Sequence, residues 1–486
     1  MRISMGLVVL LAVALVACGD DEETSAGSGG TGATAGSGGT GGTGGSGAAA
    51  GTGGTSSGGG GTGASGGSDC VSLPTFADGK TPTTTIFVDG LAEPGGDGSQ
   101  SAPFRNLTEA KSSIGPGTEV RVSGEVHAAA DYLDLQGTAD APIFVTGEAG
   151  AILRGQIDPA IPGLAFDGAS YVVVQDLEIA TSGGHVLHVV FSDHMLFRRV
   201  VIHDAGLGCV KGSQSTDVFV EDADIYDGGQ GSPSQSAGHP LFDFVGVNTG
   251  HIVRSEFHSG PGVMIMLKGG TSDMFVAWND LWDQTSPGNA LALGQSTGPQ
   301  YFQPLDSAFE GLRIVAYANR LRGLVGAPFA FEGCSRCVAA HNVAYDLTSP
   351  QLVRFLPGAA GQESGETVSL SENCRFTGNI LVGGQDGGAS LNADAANHGP
   401  GNQLDHNVWL KPGPLNWWGD IPQDTTTSTY DQDPQLDTDG RPQNVALVDG
   451  QGAADLAGLP FADRFVQDFA GVCVTAPLDI GAYDVP

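Results

Sequence analysis

The sequence predicts an all-β chain wound into a parallel β-helix, with three short strands in every coil. A repeat, a strand-and-turn vocabulary and a column of asparagines predict it. Asp-Leu-Glu-Ile (176–179), Val-Val-Ile-His (200–203), Ala-Asp-Ile-Tyr (223–226), Ser-Glu-Phe-His (255–258) and Asn-Asp-Leu-Trp (279–282) can be superposed. Asn-Arg-Leu (319–321), Asn-Val-Ala-Tyr (342–345), Asn-Ile-Leu (379–381) and Asn-Val-Trp (407–409) continue the series. With Leu177, Val200, Ala223, Ser255, Asn279, Asn319, Asn342, Asn379 and Asn407 equivalent, the steps are 23, 23, 32, 24, 40, 23, 37 and 28. The short steps share a base of 23 or 24, and the longer ones carry Gly/Pro/Ser-rich inserts. A period of this size marks a solenoid whose units bury their apolar face only against neighbours.

Each unit holds short runs of β-branched and aromatic residues, such as Tyr-Val-Val-Val (171–174) and Asp-Val-Phe-Val (217–220), separated by Gly, Asn, Asp or Ser. No unit contains an amphipathic stretch long enough for a helix. Three strands and three bends fit one unit. The Leu-x-x-Leu-x-Leu frame of a leucine-rich repeat is missing. Nine coils stacked at the inter-strand spacing give a rod roughly 40 Å long. Asn279, Asn319, Asn342, Asn379 and Asn407 fall at one bend in five coils. Asn tolerates left-handed backbone, and stacked amides hydrogen-bond along an axis, so the column reads as a structural asparagine ladder.

The ends of the chain have a different character. Residues 1–17 carry Arg2 and an apolar run from Leu7 to Val16, too short to span a bilayer and typical of a secretory signal. Leu15-Val16-Ala17-Cys18 resembles the lipobox of bacterial lipoproteins, which implies lipidation of Cys18. Gly19 rather than an acidic residue follows, so outer membrane or cell surface is the expected location. Residues 18–68 form a tether rich in Gly, Ser, Thr and Ala, unable to bury enough apolar surface to fold. Its stretch from Thr24 to Ser68 reaches about 35–40 Å. Residues 69–486 are the expected β-helix domain, a monomer.

A net charge of −34 disfavours nucleic acid as a partner, and leaves the membrane as one only through the lipid. Seven cysteines suit an oxidising compartment. Cys337 and Cys374 each precede a ladder Asn by five residues, so stacked coils bring them within disulfide range; Cys334–Cys337 is the rival pairing.

Ile86-Phe-Val-Asp-Gly, Gly95-Gly96-Asp97-Gly98, Ala102-Pro103-Phe104-Arg105-Asn106-Leu107 and Gly115-Pro116-Gly117-Thr118 open the folded part, and Leu478-Asp479-Ile480-Gly481-Ala482-Tyr483 closes it. These segments resemble the opening and closing signatures of secreted right-handed β-helix proteins of the pectate-lyase-like superfamily, near polysaccharide lyase families six and nine. The resemblance covers residues 85–485. It implies a right-handed three-sheet solenoid of about nine to eleven coils. Leu107–Ser113 suits a short N-terminal capping helix, with Asn106 or Thr108 as its cap.

In that superfamily the Asn bend separates the second and third strands, so the first strand lies about 12 residues ahead of it. Reading those strands aligns His188, Lys211, Asp243 and Lys268 as one outward column. Uronate lyases of the superfamily place a basic residue there, which removes the proton beside a carboxylate neutralised by Ca²⁺. The resemblance thus implies Lys211 or Lys268 as base, with His188 and Asp243 assisting. The competing structural reading is a ladder of exposed ion pairs. The Asp-Gly-Asp-Asp-Gly cluster that family-nine enzymes use for Ca²⁺ is absent.

A second column, Asp204, Asp227, Asp283 and Asp346, follows the ladder by four residues, with Ser259 interposed. Either Ca²⁺ sits between Asp204 and Asp227, or each aspartate caps its own turn. Beside it, His203, Tyr226, His258 and Trp282 form a column of rings, a sugar-stacking surface or lateral packing. Inserts Gly228–Pro240 and Gln284–Gly288 would wall a groove over the first sheet and cover outward Met264 and Met266. Trp417 and Trp418 offer a carbohydrate platform or close the core's end. The expected function is binding or cleavage of a polysaccharide, most concretely β-elimination of a uronate-containing glycan. A non-catalytic glycan binder and an adhesive surface rod are the alternatives.

Overall fold

The computed structural model describes Cys70, residues 73–129, 131–158, 160–229, 239–385, 390–453, 456, 458–475 and 478–485. The expected signal segment, Cys18, the tether and the centre of the 228–240 insert lie outside the described residues.

Within them the chain is the right-handed parallel β-helix that its repeat predicts. Ten strands, from Leu164–Asp167 to Trp417–Gly419, pair in parallel as one sheet. This first face takes one strand from each coil. The second and third faces merge into a single 24-stranded sheet. Strands such as Ser170–Ser182 and Asp193–Ala205 turn the corner between those faces without losing pairing. Coil register follows the repeat, because Leu177 pairs with Val200, and Asp280, Arg320, Val343, Ile380 and Val408 pair successively. Alternate residues point inward. One continuous apolar core therefore runs along the axis, from Val88 and Val120 to Phe376 and Trp409.

The asparagine ladder is built as expected. Each of the five is fully buried. The Oδ1 of Asn319 accepts from the backbone N and Nδ2 of Asn279, both at 3.0 Å. Asn342 does the same for Asn319 (2.9 and 2.9 Å), Asn379 for Asn342 (2.9 and 2.9 Å), and Asn407 for Asn379 (2.9 and 3.0 Å). Ser255 extends the column upstream, accepting from Ala223 N, and Ser428 ends it. The structure corrects one detail. The left-handed residue at this corner stands before the ladder position, at Trp278 (φ 58°), Ala318 (49°), His341 (55°) and His406 (53°). The asparagine is selected for its amide, which donates and accepts along the axis, and not for its backbone.

The outer surface of the second face is apolar and clad. Phe76 packs near Phe144, Val173 and Leu196, while Leu456, Phe465 and Leu478 cover Phe275, Tyr317 and Val338. On the adjoining third face, Tyr345 and Ile380 meet Ile480 and Tyr483. Cys70–Cys473 ties the two cladding segments together across 403 residues. Near the start, Leu107–Ala110 is helical, Asn106 caps it by accepting from Glu109 N at 2.9 Å, and Lys111–Ser113 continues as a 3₁₀ turn.

The second disulfide corrects the expected pairing. Cys334 joins Cys337, with Cα atoms 6.1 Å apart, and Cys374 remains a buried thiol. Val338 pairs with Arg375, so Cys337 and Cys374 are in-register neighbours as counted. Parallel in-register strands hold equivalent Cβ atoms near the strand spacing of about 4.8 Å, wider than the roughly 3.5–4.5 Å a disulfide spans. The corner at Arg336 (φ 55°) turns Cys334 towards Cys337 instead.

Asn342→Ala removes the acceptor of two buried N–H groups, so denaturant unfolding should show a loss of about 3 kcal/mol or more. Cys70→Ser should cost about 2–4 kcal/mol in the same measurement, since the lost cross-link spans nearly the whole folded chain.

Candidate functional site

Register on the first face decides which outward side chains meet. His188 pairs with Lys211, Lys211 with Asp243, and Asp243 with Met266. The column continues through Ala292, Ala330, Arg354, Asn392 and Trp418. Three of the four expected catalytic residues are therefore neighbours. Lys268 is not on their column, because it pairs with Val245, two residues further along. The corner after it carries Gly269 and Gly270, both at positive φ (64° and 86°), and takes one residue more than the preceding coils. Counting back from the ladder therefore misplaces it. Lys268 is buried, and its charge acts on Asp243 and on Glu310. Glu310 is itself a buried hub, accepting from Gly269 N, Thr297 N and Ala359 N at 2.8, 2.8 and 3.0 Å. Burial pushes its carboxyl up to about 8 against those donors. Lys268 thus stands off the expected column, two residues along its strand, with its charge still acting on Asp243.

Around His188 the structure gathers three groups missed in the sequence. Tyr132 places its hydroxyl 2.8 Å from His188 Nδ1. The His185 ring lies 5.9 Å from that of His188 and 6.4 Å from that of His239. His185 Nδ1 meets Gly208 O at 3.0 Å, which fixes its ring. Tyr132 precedes the first repeat and has no ladder residue to count from. His185 lies ahead of the strand Leu187–Val190, at the corner, where the strand's alternation gives no guide to its direction. Lys211 Nζ is paired with Asp243 Oδ2, while Asp243 Oδ1 is buried with no hydrogen-bond partner.

The electrostatics follow from that packing. Burial, reinforced by the Lys211 charge, holds His188 down at about 4. Burial, then Lys211 and His188, takes His185 to about 3. Both rings are neutral imidazoles at physiological pH. For Asp243, burial opposes ionisation, but Lys211 and Lys268 outweigh it and keep the carboxyl below its usual range. The cluster thus pairs a neutral proton acceptor with a fixed cation and a hydroxyl donor, a set suited to general acid–base chemistry.

The aspartate and ring columns both have structural settings, beginning with Asp204 and Asp227. Each occupies a left-handed corner (φ 62° and 52°), in line with Ser259, Asp283 and Asp346 (50°, 56° and 53°). Asp204 meets His203 Nδ1 at 3.1 Å, and no group of three His, Cys, Asp or Glu ligand atoms includes Asp204 or Asp227 among the described residues. The rings of His203, Tyr226, His258 and Trp282 do not form a sugar platform. They stack on one another at 4.9, 4.8 and 4.2 Å with interplanar angles of 0°, 8° and 14°. Arg322 lies over Trp282 at 4.8 Å. The inner faces of the stack are spent on neighbouring rings, so the column is lateral packing.

The wall residues divide. Met264 lies in the core rather than outward, whereas Met266 faces out against Val263 and Ala292. Gln284, in the second insert, accepts from Val325 N and Gly326 N at 3.1 and 2.7 Å and so braces the adjoining coil. Trp417 packs beside Trp409 (5.6 Å) at the core's end, as the closing reading expects, and Trp418 stands 54% exposed on the outward column.

No protein-family model matches the chain, and no curated protein shows significant similarity to it. Among solved structures it is similar to the pectate lyase Pel9A, at 13% identity and TM-score 0.45, over 86% of this chain and 100% of that one. It is also similar to a polygalacturonase from Erwinia carotovora ssp. carotovora (11%, TM-score 0.49, 73% and 100%) and an alginate lyase from Paenibacillus sp. str. FPU-7 (16%, TM-score 0.37, 69% and 99%). At such identities the reading of the site rests on its own geometry.

An NMR titration of the histidine rings should give His188 a midpoint near 4 rather than the usual 6.5. Lys211→Met should move that midpoint upward, since it removes the repelling cation and leaves the Asp243 carboxylate uncompensated.

Proposed function

We propose that the outer surface of the first face binds a uronate-containing polysaccharide and cleaves it by β-elimination. The observation that carries this reading is the contact of a neutral His188 imidazole with the Tyr132 hydroxyl, beside the Lys211–Asp243 pair. Lys211, held by Asp243, meets the sugar carboxylate and lowers the cost of the negative charge that develops there. His188 takes the proton from the carbon next to that carboxylate. The C–H electron pair becomes the new C=C bond as the glycosidic C–O bond breaks. Tyr132 supplies a proton to the departing oxygen and regains one from His188. Asp243 holds Lys211 in place, and Trp418, further along the same column, offers a ring face to a distant sugar unit. Ca²⁺ enters as an addition to Lys211 in neutralising substrate carboxylates. By the same proposal the domain is exported and held at the cell envelope through a lipid on Cys18.

A second reading, glycan binding without turnover, is favoured by one observation: Lys211 is held in an ion pair with Asp243, an arrangement suited to gripping a sugar carboxylate without proton transfer. Ultraviolet absorbance of the unsaturated uronate product separates the two. Pectate, alginate and chondroitin, each assayed with and without Ca²⁺, should include one productive substrate, and silence on all of them removes the lyase reading. On the productive substrate, His188→Gln should lower the rate by about a hundredfold or more with the fold retained. The rate should rise with pH through about 4, where His188 loses its proton, instead of near 6.5.

A further inference from the structure

The third face carries a side-chain cluster that the groove does not use. Two outward columns run side by side along it. Asp224, Glu256 and Asp280 are directly paired neighbours in one, and Tyr226, His258 and Trp282 in the other. Like charges stacked directly opposite repel. Asp280 is relieved by Arg320 and Arg322, at 2.5 and 3.0 Å. Two coils before Asp224, Glu178 is met by His203 from the intervening coil, at 3.1 Å. Glu256 has no ion pair among the described residues, and His258 Nε2 is the group that approaches Asp224, at 3.1 Å.

The tautomer of His258 makes that contact informative. Ser259 Oγ donates its only proton to Asp283 Oδ2 at 3.2 Å. The same oxygen lies 3.2 Å from His258 Nδ1 and, with its proton on Asp283, is placed to accept from Nδ1–H, the tautomer that frees Nε2 to bind a cation. Nε2 is then left with a lone pair aimed at a carboxylate, which is repulsive unless a cation or a second proton lies between. The ring cannot rotate away, because Tyr226 and Trp282 clamp it from both sides at 4.8 and 4.2 Å. A histidine whose far nitrogen is fixed through an oxygen to a carboxylate is the usual outer support of a metal ligand.

We propose that Asp224, Glu256 and His258 form a binding site for a divalent d-block cation, with Zn²⁺ as its representative. One donor atom from each side chain lies within 4.8 Å of the other two. An imidazole with two carboxylates suits Zn²⁺, with water completing a tetrahedron, and offers too few oxygens for Ca²⁺. Because Asp224 sits on one coil and Glu256 and His258 on the next, the ion clips adjacent turns of the solenoid.

Titration calorimetry of the intact protein with Zn²⁺, and absorption of its Co²⁺ form, test this. One equivalent should bind and raise Tm. Affinity should fall a hundredfold or more in Glu256→Gln and His258→Gln, and about tenfold in Ser259→Ala, where only the support of the ring is lost. Without metal, Glu256→Gln should melt at or above the parent temperature, since it removes repulsion, which keeps the test independent of folding defects. Absence of Zn²⁺ binding, or equal affinity in all three variants, overturns the proposal. Loss of binding in His188→Gln instead also overturns it, by placing the ion on the first face.

Discussion

Every feature of this molecule depends on coils that repeat in register, each residue lying over its counterpart at the spacing of one strand. That constraint turns sequence positions into columns, and each column must find a chemistry that tolerates its own repetition. Apolar residues repeat freely in the core. Rings repeat by stacking, as from His203 to Trp282. Asparagine repeats because its amide donates to the coil on one side and accepts from the coil on the other. Carboxylates do not repeat well, and the chain interrupts them with arginines at Arg320 and Arg322. Buried hydroxyls do the same work at another corner, where Ser192 and Ser215 accept from Ala169 N and Ser192 N at 3.1 Å each.

The three faces have divided the labour. The second is clad by terminal segments, which also cover the third around Tyr345 and Ile380, and on the rest of the third most charges and rings already have partners. The first alone combines histidines, a lysine–aspartate pair and an exposed tryptophan on one outward line. Two buried polar atoms without a hydrogen-bond partner, Asp243 Oδ1 and Arg354 Nε, belong to residues of that line. Such atoms cost about 1–3 kcal/mol each, and Trp282, Gln295, His341, His398 and Trp409 carry others elsewhere among the described residues.

The coil architecture was fully legible in the sequence, because a period near 23 and a strand vocabulary leave few other solutions. Side-chain placement was legible only as far as the period held. His188, Lys211 and Asp243 lie twelve residues before their ladder positions and were aligned correctly. Lys268 was misplaced by the Gly269–Gly270 corner, and Tyr132 escaped because it comes before the repeat starts. The disulfide failed for a different reason. Column membership brings two cysteines near each other but says nothing about whether their Cβ vectors converge, and in parallel neighbours they run side by side. The ring column was found correctly and its exposure misjudged, since stacking consumes the surfaces that a ligand would need.

The bond between Cys70 and Cys473 sets how the domain bears tension. A pull applied through residues ahead of Cys70 does not peel away the first turn of the solenoid. It crosses the sulfur bridge into the strap formed by the C-terminal segment, which grips the flank through Phe465, Leu478 and Tyr483. The stacked turns are thereby shielded from the drag that would unwind them one by one.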